Sequence, residues 1–173
     1  IDEKERKEMS NWLESLNNLD KYIETHKAGK NEKTLRLRQF TVFEDLGKFI
    51  EEGGKEGYIK LPTGSGKTVI FSEFIEAFGQ KTLIVVPTQL LIHQTEKELN
   101  KFAEDIDIGK VYAYAKEHKK DVVITTYDSL VSQLKKGSIN PEDYKLLILD
   151  EAHQSLSEKR IEAVNRFGKT LKI

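Results

Sequence analysis

Two short runs, Leu83-Ile84-Val85-Val86 and Leu146-Leu147-Ile148-Leu149, carry no polar residue on either alternating face. Strands of this kind belong where both faces of a sheet are covered, which points to a parallel sheet with helices on its two sides. The rest of the chain agrees. From Thr34 onward, helical periodicity alternates with short apolar strands: helix 34–52, strand 57–61, helix 67–78, strand 82–86, helix 88–103, strands 110–114 and 121–126, helix 128–136, strand 145–149, helix 157–167, and a last strand starting near Leu171. The expected fold is α/β, a three-layer αβα sandwich around a mostly parallel sheet.

Ahead of this pattern, Met9, Trp12, Leu13, Leu16, Leu19, Tyr22 and Ile23 recur at three- and four-residue spacing and predict one amphipathic helix. Glu3 with Lys7 and Lys4 with Glu8 add charge pairs on its wet face. Ala28-Gly29-Lys30-Asn31 breaks it. We assign residues 1–31 to this helix and a linker, as a flank or the end of a preceding domain, and residues 32–173 to the α/β domain. The chain of 173 residues has room for one such domain with a real core. It starts at Ile1 and stops at Ile173 inside an apolar segment, so we read it as part of something longer.

Composition narrows the function classes. Cysteine is absent, which removes disulfides and thiolate metal sites. No apolar run approaches the roughly 18 residues of a membrane span, and no secretory signal opens the chain, so the expected setting is cytoplasmic, without membrane contact. The net charge of −1 gives no global pull on a polyanion, so any nucleic-acid binding must come from a local surface. His26, His93 and His118 have no metal-ligand spacing.

Two segments carry chemistry. In Leu61-Pro62-Thr63-Gly64-Ser65-Gly66-Lys67-Thr68, the two glycines allow the chain to curl around a phosphate with no Cβ in the way. Thr63, Gly64, Ser65 and Gly66 form the cradle, and the helix that follows turns its positive end toward the anion. Lys67 would reach the β and γ oxygens of a nucleotide, and the Thr68 hydroxyl would ligate Mg²⁺. The general pattern begins with Gly, where this chain has Leu61. Downstream, Asp150 and Glu151 follow an apolar strand and so emerge at the carboxyl edge of the sheet, where open α/β folds bind ligands. Asp150 can hold Mg²⁺, and Glu151 is placed to polarise the water that attacks the γ phosphorus. His153 read alone is a hydrogen-bonding residue near the surface.

Taken together, LPTGSGKT and Asp150-Glu151-Ala152-His153 resemble the first RecA-like domain of superfamily two helicases and translocases. Nearly everything from Leu35 onward takes part in the resemblance. Leu35-Arg36-Leu37-Arg38-Gln39 looks like the upstream motif whose glutamine reads the adenine edge, which implies that role for Gln39. Val85-Val86-Pro87-Thr88-Gln89 and Val123-Ile124-Thr125-Thr126-Tyr127 look like motifs that touch a nucleic-acid backbone, implying contacts from Pro87, Thr88, Gln89, Thr125 and Thr126. As short polar groups at strand ends these suit phosphate and sugar contacts, which position a strand without reading its sequence. The resemblance also implies a coupling role for His153, and ATP with Mg²⁺ as cofactors. Within the superfamily, LPTGSGKT, VVPT and VVITTYDSL are most similar to the branch of type III restriction motor subunits and related DNA helicases, so DNA is set ahead of RNA as the track.

The family's next motif, Ser-Ala-Thr or Thr-Ala-Thr, is expected just beyond Leu171-Lys172-Ile173, and the second RecA-like domain with its arginine finger is also outside the chain. The resemblance therefore implies a piece that binds nucleotide but hydrolyses it poorly alone. One other class stays open, a regulatory nucleotide-binding module that drives no motor. Partner subunits have no signature in the sequence.

Overall fold

The computed structural model describes residues 2–26, 37–58, 67–102, 106–112, 115–117, 119–150 and 157–172. The chain forms two compact units, Ile1–Gly54 with Thr63–Gln80, and Lys55–Pro62 with Lys81–Ile173. The first contains helices α1 (Glu3–His26), α2 (Leu37–Glu51) and α3 (Lys67–Phe78). The second contains the whole sheet, with α4 (Gln89–Phe102), α5 (Tyr127–Lys136) and α6 (Glu158–Val164).

Aromatic packing organises the helical unit. Phe74 meets Phe43 edge-on at 5.5 Å and stacks on Phe78 at 5.6 Å, while Trp12 adds its edge to Phe78 at 5.7 Å. The buried side of α1 runs through Trp12, Ser15, Leu16, Leu19 and Ile23, a helical face at three- and four-residue spacing. Met9 and Leu13, expected on that face, are 57% and 59% exposed. Ser15 is buried because its hydroxyl is satisfied: it donates to the Asn11 carbonyl at 3.0 Å and accepts from Gln80 Nε2 at 2.7 Å.

Between α1 and α2, the Glu51 carboxyl is held above the ordinary carboxylate range, first by a shared hydrogen bond with Asp20, then by burial and the charges of Asp20 and Glu52. A folded-state value above the unfolded one gives stability only while the proton stays on. That stability is present below the ordinary value of 4.5 and is lost as pH rises through the folded value. Glu51→Gln should therefore raise thermal stability at neutral pH by about 0.3 kcal/mol, the scale of a solvent-screened charge pair. The gain should vanish in melts run at about pH 4, where the native carboxyl already carries its proton.

Among the described residues the strands are β1 (Glu56–Tyr58), β2 (Thr82–Val86), β3 (Ile108–Tyr112), β4 (Ala115–Lys116), β5 (Val122–Thr126), β6 (Leu146–Leu149) and β7 (Thr170–Lys172). Their order across the sheet is β1-β7-β6-β2-β5-β3-β4. Every pair is parallel except β3 with β4. Every residue of β2, β5 and β6 is buried, as their two-faced apolar character requires. In β3 buried and half-buried residues alternate, the pattern of a strand nearer the edge. On one face Leu83, Val85, Val123, Leu147 and Leu149 pack with Leu130 and Leu134 of α5 and Val164 of α6. α4 lies against β2, β3 and β5 and buries Ile92 and Leu99. The expected α/β fold with a mostly parallel sheet is therefore present.

Three details differ from expectation. β3 sits two residues earlier, because Ile108 pairs with Val122 and Val111 with Thr125 in the parallel register. The short antiparallel β4 was not expected, and Gly109 explains its close approach: a Cβ there would collide with the Glu117 carbonyl. Helix α6 ends at Val164, since Asn165 caps it and Phe167 turns inward to meet Tyr144 edge-on at 6.2 Å. Burial, with help from Asp143, pushes the Tyr144 hydroxyl up to about 12. Among the described residues no helix is long and apolar enough to cross a membrane.

Candidate nucleotide and nucleic-acid sites

β6, β2 and β5 are neighbours in parallel register, so Asp150, Pro87 and Thr126 all stand at the same carboxyl edge. The Asp150 backbone is held twice. Its N–H donates to the Val85 carbonyl at 2.9 Å, and its carbonyl accepts from the Tyr127 hydroxyl at 2.9 Å. A half-buried carboxylate on so fixed a backbone fits a small hard cation, which takes one or two protein carboxylates and completes its shell with water and phosphate. Among the described residues there is no cluster of three or more His, Asp or Glu that could form an all-protein cage. Glu151 and His153 lie outside the described residues.

Beside Asp150's strand, the residues Pro87, Thr88, Gln89, Thr126, Asp128, Ser129, Ser132, Gln133 and Lys136 enclose an open groove of about 430 Å³. The first turns of α4 and α5 border it. Thr88 Oγ1 accepts from the Leu91 N–H at 3.3 Å, and Thr126 Oγ1 accepts from the Ser129 N–H at 3.1 Å and so caps α5. Two helix N-termini at one groove favour an anion electrostatically. Asp128 runs against that preference, but Arg160 Nη2 lies 2.9 Å from its carboxylate.

Four of the five expected backbone-contact residues, Pro87, Thr88, Gln89 and Thr126, thus line one groove. Thr125 does not. It is fully buried, and its hydroxyl donates to the Val111 carbonyl at 2.7 Å, so this side chain ties β5 to β3 instead of facing a ligand. Ser129, quoted within the second backbone-contacting motif, lines the groove as well, and Ser132, Gln133 and Lys136 were missed, although their spacing from Ser129 along α5 marks one polar helical face.

In the other unit, Lys67 and Thr68 open α3, where the first four backbone N–H groups have no partner within the helix. The structure describes only the backbone of Lys67, Thr68 and Gln39, the last within α2. Thr63, Gly64, Ser65 and Gly66 lie outside the described residues.

A mostly parallel sheet with this edge belongs to the RecA-like α/β class, and solved structures of that class are similar to it. The SWI2/SNF2 ATPase core of Sulfolobus solfataricus in complex with dsDNA aligns over 82% of this chain and 31% of that chain, with TM-score 0.66 and 22% identity. A nuclease-deletion mutant of the type ISP restriction-modification enzyme LlaGI, in complex with a DNA substrate mimic, aligns over 81% of this chain and 17% of that one, with TM-score 0.63 and 21% identity. The family model described as "Type III restriction enzyme, res subunit" matches residues 32–173, and the chain belongs to that family of superfamily two helicase domains. Among curated relatives, the ATP-dependent RNA helicase DBP6 of Candida glabrata is 31% identical over 165 residues, covering 83% of this chain and 25% of that protein. The DNA 3'-5' translocase XPB2 of Sulfurisphaera tokodaii is 36% identical over 104 residues, covering 60% and 23%. The chain spans about a quarter of the length of these curated relatives.

Proposed function

We propose that residues 32–173 form the first ATP-binding domain of a nucleic-acid-dependent ATPase, a translocase or helicase, with residues 1–31 as a flanking helix. The observation that carries this reading is the shared carboxyl edge, where Asp150 and the groove of Pro87, Thr88, Gln89 and Thr126 stand on adjacent strands. In this reading Gln39 recognises the adenine, and Thr63, Gly64, Ser65 and Gly66 wrap the phosphates. Lys67 neutralises charge on the β and γ oxygens, and Thr68 and Asp150 hold Mg²⁺, which would supply charge neutralisation on the phosphates. Glu151 accepts a proton from the attacking water, and His153 relays the state of this region. Thr88 and Thr126 donate to the backbone of a bound strand from hydroxyls that already accept helix-capping bonds. Turnover at full rate is proposed to need a second RecA-like domain, which contributes an arginine to the transition state.

DNA is the proposed track, on the strength of the restriction-subunit family and of relatives such as the XPB2 translocase. The DBP6 relatives, named as RNA helicases, support RNA as the second reading. Steady-state ATPase measurement on the intact protein, alone and with single-stranded DNA, duplex DNA or RNA, separates them. We expect DNA to stimulate turnover, because closure of a cleft around bound ligands completes a catalytic constellation. Stimulation by RNA alone would reassign the track. Bound ATP with no stimulation by any polymer would leave a regulatory nucleotide-binding module.

A further inference from the structure

Tyr127 is the residue at which the groove and the nucleotide edge meet. It is 3% exposed and is the first residue of α5, directly after the groove residue Thr126 and before Asp128. A buried phenol needs a partner for its hydroxyl, and this one donates to the Asp150 carbonyl at 2.9 Å. The acceptor is the backbone carbonyl of Asp150 itself, so the bond orients the chain at the point where that carboxylate leaves the sheet. Across the same strand end, the Asp150 N–H is fixed by Val85, one residue before the last of β2. Arg160 of α6 covers the assembly: its guanidinium carbon lies 5.4 Å from the centre of the Tyr127 ring, and the same group pairs with Asp128 on the groove wall.

We propose that Tyr127 is a positioning residue that ties the nucleic-acid groove to the Asp150 peptide, with Arg160 as its clamp. The inference rests on the nucleotide and nucleic-acid reading given above. Its physical content is local. A strand seated against Thr126 and Ser129 presses on the first turn of α5, and the Tyr127 hydroxyl joins that turn to the end of β6 through its bond to the Asp150 carbonyl. The packed ring transmits the displacement because a buried aromatic side chain has no room to absorb it. Groove occupancy and cation affinity at Asp150 are thereby linked, and linkage acts equally in both directions.

Tyr127→Phe removes the hydroxyl and keeps the ring, so the core packing stays. The test is made on the intact protein with a fluorescent ATP analogue, titrated with MgCl₂ in the presence and absence of a single-stranded oligonucleotide. In the variant, the Mg²⁺ concentration for half-saturation should rise about tenfold, the lower range for loss of a group that orients a metal ligand. The oligonucleotide's effect on nucleotide affinity should shrink toward none, while analogue binding without Mg²⁺ stays at the wild-type value. Arg160→Gln, which keeps the hydroxyl, should shift the same two readouts in the same direction by a smaller factor. A Tyr127→Phe protein indistinguishable from wild type in both readouts overturns the inference and leaves the functional reading standing. Equal weakening with and without Mg²⁺, together with a lowered melting temperature, marks a merely structural tyrosine and also overturns it. A wild-type protein that binds no nucleotide overturns both readings at once.

Discussion

Glu151→Gln is expected to lower the turnover number of the intact protein about a thousandfold, within the range that a positioned general base contributes, and to leave nucleotide affinity nearly unchanged. The amide keeps the size and much of the hydrogen bonding of the carboxylate, but it cannot take a proton from water at neutral pH. Lys67→Ala should fail in the opposite way. The ammonium is proposed to meet the β and γ oxygens in the ground state as well as the transition state, so its removal should weaken binding at least about a hundredfold through loss of a charge-assisted contact. Equilibrium binding of a fluorescent ATP analogue and single-turnover hydrolysis, run on both variants, separate the two effects. A Glu151→Gln protein that turns over normally would mean that another group is the base. A Lys67→Ala protein that binds ATP as tightly as wild type would remove the phosphate cradle from the argument.

Phe74→Ala is expected to cost about 4 kcal/mol of stability, as deletion of a fully buried phenyl ring generally does. Phe74 is 0% exposed and contacts Phe43 of α2 and Phe78 of α3 within the helical unit. The cavity cannot collapse easily, since its walls are two other rigid rings held on helix backbones. Such a loss is a large part of the about 5–15 kcal/mol that a domain has in total. The Lys67 end of α3 should therefore lose its scaffold, and urea unfolding should show the midpoint falling sharply. Phe74→Leu, which retains most of the apolar volume, should recover more than half of the loss. A midpoint equal to that of wild type would show that α3 is not anchored by this cluster.

Much of this was legible in the chain. Helix α3 and strand β2 have the bounds that periodicity and the glycines at 66 and 79 predicted. The two-faced strands β2 and β6 required a covered parallel sheet, and both are buried throughout. Local patterning reports such features because it depends on neighbours three or four residues away. It does not report β4, whose two residues have no period and whose place depends on the missing side chain of Gly109. Nor does it report that Leu13 faces outward while Ser15 is buried, since a hydroxyl's burial depends on Gln80, 65 residues away in sequence.

The same division runs through the sites. The sequence by itself determined the phosphate-binding candidates Thr63 to Thr68, the carboxylates Asp150 and Glu151, and the polar strand ends at Thr88 and Thr126, because each is a short pattern with its own chemistry. Only the tertiary structure decided that β6, β2 and β5 are adjacent, which brings Asp150, Thr88 and Thr126 to one edge although they are distant along the chain. It also separated two neighbouring threonines with equal chemical promise. Strand geometry points successive side chains to opposite faces, so Thr125 closes a bond inside the sheet while Thr126 caps α5 and lines the groove.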